Sequence, residues 1–126
     1  MKESQLMNNF CWMVIEQMNF NERGYKGAGQ YLVKESRLAF EDMKNVEIFA
    51  NNKVSELYDT LAEAGRYLGS DDGFDDLLWQ IVVNGEEFYN NITVEKAKEM
   101  IDNEDYTESF GYAFQAVWEL EEEEVN

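Results

Sequence analysis

The sequence predicts an all-α fold, a bundle of about five or six helices forming one domain over residues 1–126, from three observations. Apolar residues recur at spacings of three and four nearly throughout, the period of a helix with one buried face. Proline is absent from the 126 residues, so no ring interrupts a helix interior. Hydrophobic residues make up 44% of the chain and aromatic residues 14%, enough apolar material for a core. A chain of this size buries roughly two thirds of its unfolded surface.

The elements follow in order. Ser4 is placed to cap a first helix over about residues 4–19, with Leu6, Phe10, Met13, Val14 and Met18 on one face. Cys11, Trp12 and Ile15 widen that face. The stretch from Asn21 to Gly29 holds Gly24, Gly27 and Gly29 and reads as a loop. A second helix is expected over about residues 30–42, with Leu32, Val33, Leu38 and Phe40, running on or breaking near Lys44. The same glycines leave room for a small hairpin within 21–42.

A third helix over about residues 45–67 carries Val46, Phe49, Ala50, Val54, Leu57, Leu61 and Ala64, and Gly69 suits the left-handed residue that ends it. Ser70 is the cap of a fourth helix, with Asp71 and Asp72 in the first turn, where the helix dipole favours negative charge. Phe74, Leu77, Leu78, Ile81, Val82, Phe88 and Tyr89 are assigned to its stripe. Ile81, Val82 and Val83 are β-prone locally, but their flanks read as helix. Thr93 caps a fifth helix with Ala97, Met100 and Ile101 inward. Asn103 starts a sixth, with Tyr106, Phe110, Ala113, Phe114, Val117 and Leu120 on one face. Trp12, Trp79 and Trp118 are expected in the core.

Composition removes several function classes. There is no histidine, so catalytic triads, histidine acid–base chemistry and histidine metal ligation are excluded. Cys11 is the only cysteine, which excludes an intramolecular disulfide and a cysteine zinc site and suits a reducing, cytoplasmic setting. Its apolar neighbours make it an inert core thiol. No leader is visible, and nothing approaches the roughly 18 apolar residues of a membrane span. The formal net charge is −17, which opposes direct binding to nucleic acid or anionic membranes. Residues 1–40 hold five basic and four acidic residues. Residues 41–126 hold five basic and 23 acidic residues, a net of −18. The partner expected for such a field is a basic protein.

Three constellations stand out. Asp71, Asp72, Asp75 and Asp76 are crowded into one helix start, where like charges four residues apart repel. Asp71-Asp72-x-x-Asp75 also spells the magnesium string of prenyl-diphosphate enzymes, but the second acidic motif those enzymes need is missing. Glu86 and Glu87 form a second pair. Glu119 and Glu121 to Glu124 belong to an acidic tail over 119–126, expected to fray because it opposes the helix dipole. Gly24 to Gly29 fits neither a Walker loop nor a dinucleotide fingerprint. No metal and no cofactor are expected.

Gly69-Ser70-Asp71-Asp72-Gly73-Phe74-Asp75, followed by Trp79 and by Gly85-Glu86-Glu87-Phe88-Tyr89, resembles the bacterial domain-of-unknown-function family number 4240, which is marked by a Ser-Asp-Asp-Gly-Phe signature. The resemblance is strongest over residues 69–90 and implies a small helical domain without an assigned activity. In style, a small, acidic chain free of histidine and proline is similar to phage and mobile-element inhibitors of host defence, including anti-CRISPR proteins and other nucleic-acid mimics. That likeness implies a non-enzymatic inhibitor that occupies a basic nucleic-acid site on a nuclease. Its contact residues would be Asp71, Asp72, Asp75, Asp76, Glu86, Glu87, Glu121, Glu122 and Glu123. The alternative is an immunity or regulatory protein that neutralises a basic partner. A small metal-dependent enzyme using the aspartate cluster is the lesser reading.

Overall fold

The computed structural model describes residues 2–125, with side chains described over 4–123. The all-α class holds, with no strand among the described residues, but there are eight α-helices rather than five or six. They are α1 (Lys2–Met18), α2 (Phe20–Gln30), α3 (Phe40–Thr60), α4 (Ala62–Leu68), α5 (Asp71–Val83), α6 (Glu86–Asn90), α7 (Val94–Asp102) and α8 (Gln115–Val125). A π-helical turn (Tyr31–Glu35) follows α2 and a 3-10 turn (Phe110–Phe114) precedes α8. One apolar cluster, including Ile15, Phe20, Leu32, Val46, Leu77, Ile81 and Phe114, runs through the centre.

Ser4 lies inside α1 and does not cap it, because the helix already begins at Lys2. The expected face is buried in part: Val14 and Met18 and the widening residues are inside, and Leu6 and Met13 are outside. Cys11, Val14, Ile15 and Met18 face inward together with Trp12, while Leu6 is 67% exposed and Met13 47%. The buried stripe is the one that packs on α3: Trp12 meets Phe49 edge-on at 5.3 Å, and the Cys11 thiol lies 3.9 Å from the Asn45 carbonyl. Burial and the nearby Asp42 charge push that thiol up to about 11, so it stays protonated at neutral pH.

Residues 21–29 form a helix where the sequence reads as a loop. Asn19 turns the chain in the left-handed region, and Gly24, at φ 73° and ψ 177°, is itself non-helical, so α2 consists of two helical pieces joined across a kink at that glycine. Packing explains Gly29. A Cβ on Gly29 would stand 2.5 Å from the Ala113 carbonyl oxygen, so the missing side chain lets α2 lie directly on the 3-10 turn. The helix expected over 30–42 is short and π-wound. The Ser36 hydroxyl donates to the Leu32 carbonyl, the chain breaks over 36–39, and α3 starts at Phe40 with Lys44 in its interior.

The next junctions follow local chemistry. The helix expected over 45–67 bends at Leu61 into α4, and Gly69 ends it at φ 77°. The Ser70 side chain accepts from the Gly73 backbone N–H at 3.2 Å. Helix α5 stops at Val83, and Gly85, at φ 107°, turns the chain into α6, so Phe88 and Tyr89 do not continue its stripe. The Tyr89 hydroxyl donates to Glu56 at 2.6 Å and anchors α6 to α3. The Thr93 hydroxyl accepts from the Lys96 N–H at 3.1 Å and caps α7.

No helix starts at Asn103. Glu104 and Ser109 hold positive φ, which breaks helical continuity, and helical winding resumes only at Phe110. This segment lies along α5, where the Thr107 N–H donates to the buried Gln80 at 3.0 Å. Helix α8 then runs through the acidic residues to Val125. Leu120 packs against the core, and Lys44 bridges Glu121 at 3.8 Å and Glu47 at 2.8 Å. Trp12 and Trp79 are buried as expected, whereas Trp118 is half-exposed on α8.

Candidate partner-binding surface

Helix α5 has two chemically different faces. Phe74, Leu77, Leu78, Ile81 and Val82 point into the core. Asp72, Asp75, Asp76 and Trp79, at i, i+3, i+4 and i+7, occupy another stripe and line an open groove of about 340 Å³. Aromatic side chains also line it, among them Tyr112 from the 3-10 turn and Trp118 from α8. Asp71 does not join them. It lies on the side of the α4 junction, near Arg66 and Ser70.

Two of the groove carboxylates, Asp75 and Asp76, are raised, first by burial and then by neighbouring charge. Burial and the Asp72 charge raise Asp75 above the ordinary aspartate value. Burial is also the main cause raising Asp76, with Asp75, Glu108 and Asp72 adding to it, although its oxygen accepts from the Ser109 backbone N–H at 3.5 Å. Among the described residues no lysine or arginine comes within ion-pair distance of Asp71, Asp72, Asp75 or Asp76. No group of three or more acidic or cysteine side chains among the described residues is placed to hold a metal ion.

The other candidate residues are elsewhere. Thirteen residues of helix separate Ser70 from Asn84. At about 1.5 Å per residue, α5 is about 20 Å long, and Glu86 and Glu87 follow the Gly85 turn beyond its far end. Glu86 lines a separate hollow of about 410 Å³ with Trp12, Met13 and Glu16. Glu87 is exposed beside it in sequence. Glu121 is tied to Lys44, and Glu122 and Glu123 are exposed on α8. Apart from Asp71 at the α4 junction, the candidate carboxylates therefore divide into three groups: the α5 groove, the α6 hollow and the α8 tail.

Sequence reasoning missed the aromatic lining. Trp118 falls off the Phe110, Ala113, Phe114, Val117 stripe, and that offset is the signal of an outward side chain. Tyr112 shows the same offset. Glu16 was also missed, because it comes beside Glu86 only through the turn at Gly85. No helix among the described residues is long and apolar enough to cross a membrane. Compared with family models, curated proteins and solved structures, the chain matches none.

Proposed function

We propose that this protein is a non-enzymatic inhibitor that binds a basic protein surface, a nucleic-acid-binding channel of a nuclease, in the manner of an anti-CRISPR protein or other nucleic-acid mimic. One observation carries the reading: the charge of −18 over residues 41–126 exceeds what solubility needs, and its aspartate cluster on α5 has no cation partner among the described residues. A net charge of about 2 to 8 in magnitude keeps a small domain soluble. A larger one weakens the compact state by self-repulsion, so the excess acts on something outside the chain. A channel that binds nucleic acid already holds lysine and arginine at phosphate spacing and is the natural target. The spread of the carboxylates over three groups suits a channel more than a single small pocket.

The test is charge reversal by region. Asp72→Lys with Asp75→Lys, and separately Glu86→Lys with Glu87→Lys, should each weaken binding to the captured partner by at least about tenfold at low salt. Glu22→Lys with Glu35→Lys, in the near-neutral part of the chain, should change it little. Circular dichroism checks that each variant is folded. Equal effects from all three pairs would remove the regional basis of the proposal.

A further inference from the structure

Helix α1 turns outward an apolar stripe that no described residue covers. Leu6, Phe10 and Met13 follow at spacings of four and three, with Gln17 next in the same register. Leu6, Met13 and Gln17 are exposed, and Phe10 is only partly buried. Among the described residues eight large hydrophobic side chains are exposed, and α1 holds three of them, Leu6, Met7 and Met13. Every residue from Ser4 to Asn9 is exposed, so no side of these first turns is buried in the core. Two turns of helix without packing are marginal in water.

Charge decides what covers this stripe. The run from Ser4 to Ile15 holds no charged side chain and is the longest such run in the chain. A basic partner gains nothing from an uncharged face while residues 41–126 offer it a net of −18. An anionic membrane is repelled by the net charge of −17. A second copy is repelled wherever two acidic halves meet, and the α1 face combines the least repulsion with the most exposed apolar surface. The stripe is also self-complementary. With two α1 helices antiparallel about a two-fold axis between Asn9 and Phe10, Leu6 of each copy lies opposite Met13 of the other. That arrangement opposes the two helix dipoles and keeps the two Glu16 carboxylates at opposite ends.

We propose that the protein forms a weak symmetric dimer through the outward stripe of α1, with Leu6 of one copy packed on Met13 of the other. The helix has 17 residues and is about 25 Å long at about 1.5 Å per residue. One such seam is smaller than a standard interface of about 800 Å² per partner, so the dimer is concentration-dependent. It carries two copies of the acidic half, and a partner with two basic sites gains from both.

The test is sedimentation velocity of the full chain from about 10 µM to about 1 mM, in about 0.05 M and about 0.5 M salt. Dimer should appear as concentration rises, and more of it at high salt, because screening weakens the repulsion between two copies of charge −17. Binding to a basic partner has the opposite salt dependence, so the two readings fail separately. Leu6→Gln with Met13→Gln should raise the dimer dissociation constant at least about tenfold. Trp118→Gln, which removes exposed apolar surface on α8, should leave it unchanged. Leu6→Lys and Met13→Glu should each dissociate the dimer alone and recover it when the two proteins are mixed, since the antiparallel register sets the new charges face to face. Leu6 and Met13 are exposed, so these variants should keep the fold, which circular dichroism checks. A chain that stays monomeric throughout at high salt overturns the proposal. So does a Trp118→Gln effect equal to that of the α1 pair, or a mixture no more dimeric than its components. A monomeric free chain whose captured partner is lost on Leu6→Gln with Met13→Gln also overturns it and gives the stripe to that partner.

Discussion

Helix α5 opens with a serine cap and two aspartates in its first turn, whereas α2 opens after a left-handed asparagine, carries three glycines and bends at one of them. The two are of similar length, and the same backbone geometry has different origins in them. Each glycine in a helix interior costs about 1 kcal/mol relative to alanine, so α2 is a poor helix by itself. It holds because Phe20, Ala28 and Gly29 are buried, with Phe20 against Phe110 at 5.3 Å and Gly29 flat on the Ala113 carbonyl. Helix α5 is specified locally at its start and then packs its apolar stripe. The charge differs in the same sense. Helix α5 has four aspartates and no basic residue, and α2 has Glu22 against Arg23 and Lys26. The element fixed by packing is nearly neutral, and the element with a locally secured start carries four uncompensated aspartates.

That contrast can be broken most directly at Gly29. If propensity ruled α2, Gly29→Ala would stabilise the protein by about 1 kcal/mol. Because the added Cβ would meet a backbone oxygen at 2.5 Å, which cannot swing aside as a side chain does, the variant should instead lose about 2 kcal/mol or more. The midpoint of urea unfolding reads the sign. A midpoint above that of the parent protein would show that α2 does not rest on the 3-10 turn.

A smaller effect is expected at the local signal of α5. Ser70→Ala removes the acceptor for the Gly73 N–H and should cost about 1 kcal/mol, with Ser70→Asp restoring most of it. An unchanged midpoint would mean that the first turn is held by something other than its cap.

The smallest effect concerns the α5 charge. Asp75 is raised above its ordinary value of 3.8, so the folded state holds the proton more tightly than the unfolded state. Its contribution to stability therefore improves as pH falls through the window that begins at the raised value and ends near 3.8, and is unfavourable above that window. Asp75→Asn should raise the melting temperature slightly at neutral pH and flatten its slope in that acidic window. A lower melting temperature at neutral pH would show that the carboxylate is structural, which would undercut its assignment to a partner.

How much could be read in advance follows the same division. The starts of α5 and α7 were legible, because a serine or threonine hydroxyl satisfying a free N–H three residues on is a local event. Gly69 was legible because its positive φ is a demand of the backbone itself. The helicity of 21–29 was not, since Gly29 answers to the Ala113 carbonyl, more than eighty residues away. The buried stripe of α1 was ambiguous, because Leu6, Phe10 and Met13 satisfy helical spacing as well as Cys11, Val14 and Ile15 do. At the site, the aspartates were visible as a charge run, but the division of Asp71 from Asp72, Asp75 and Asp76, and the meeting of those three with Trp118, depend on where α8 lands.

The central claim is that the negative field has a basic nucleic-acid channel as its target, and mutual exclusion tests it most directly. The full chain is used to capture its partner, and the complex is then titrated with single- and double-stranded DNA and with RNA across a salt series. The account predicts that one of these nucleic acids displaces the protein from the partner, that no complex of all three forms, and that affinity falls steeply as salt rises. A partner that holds this protein and nucleic acid together, or a complex indifferent to salt, would contradict it.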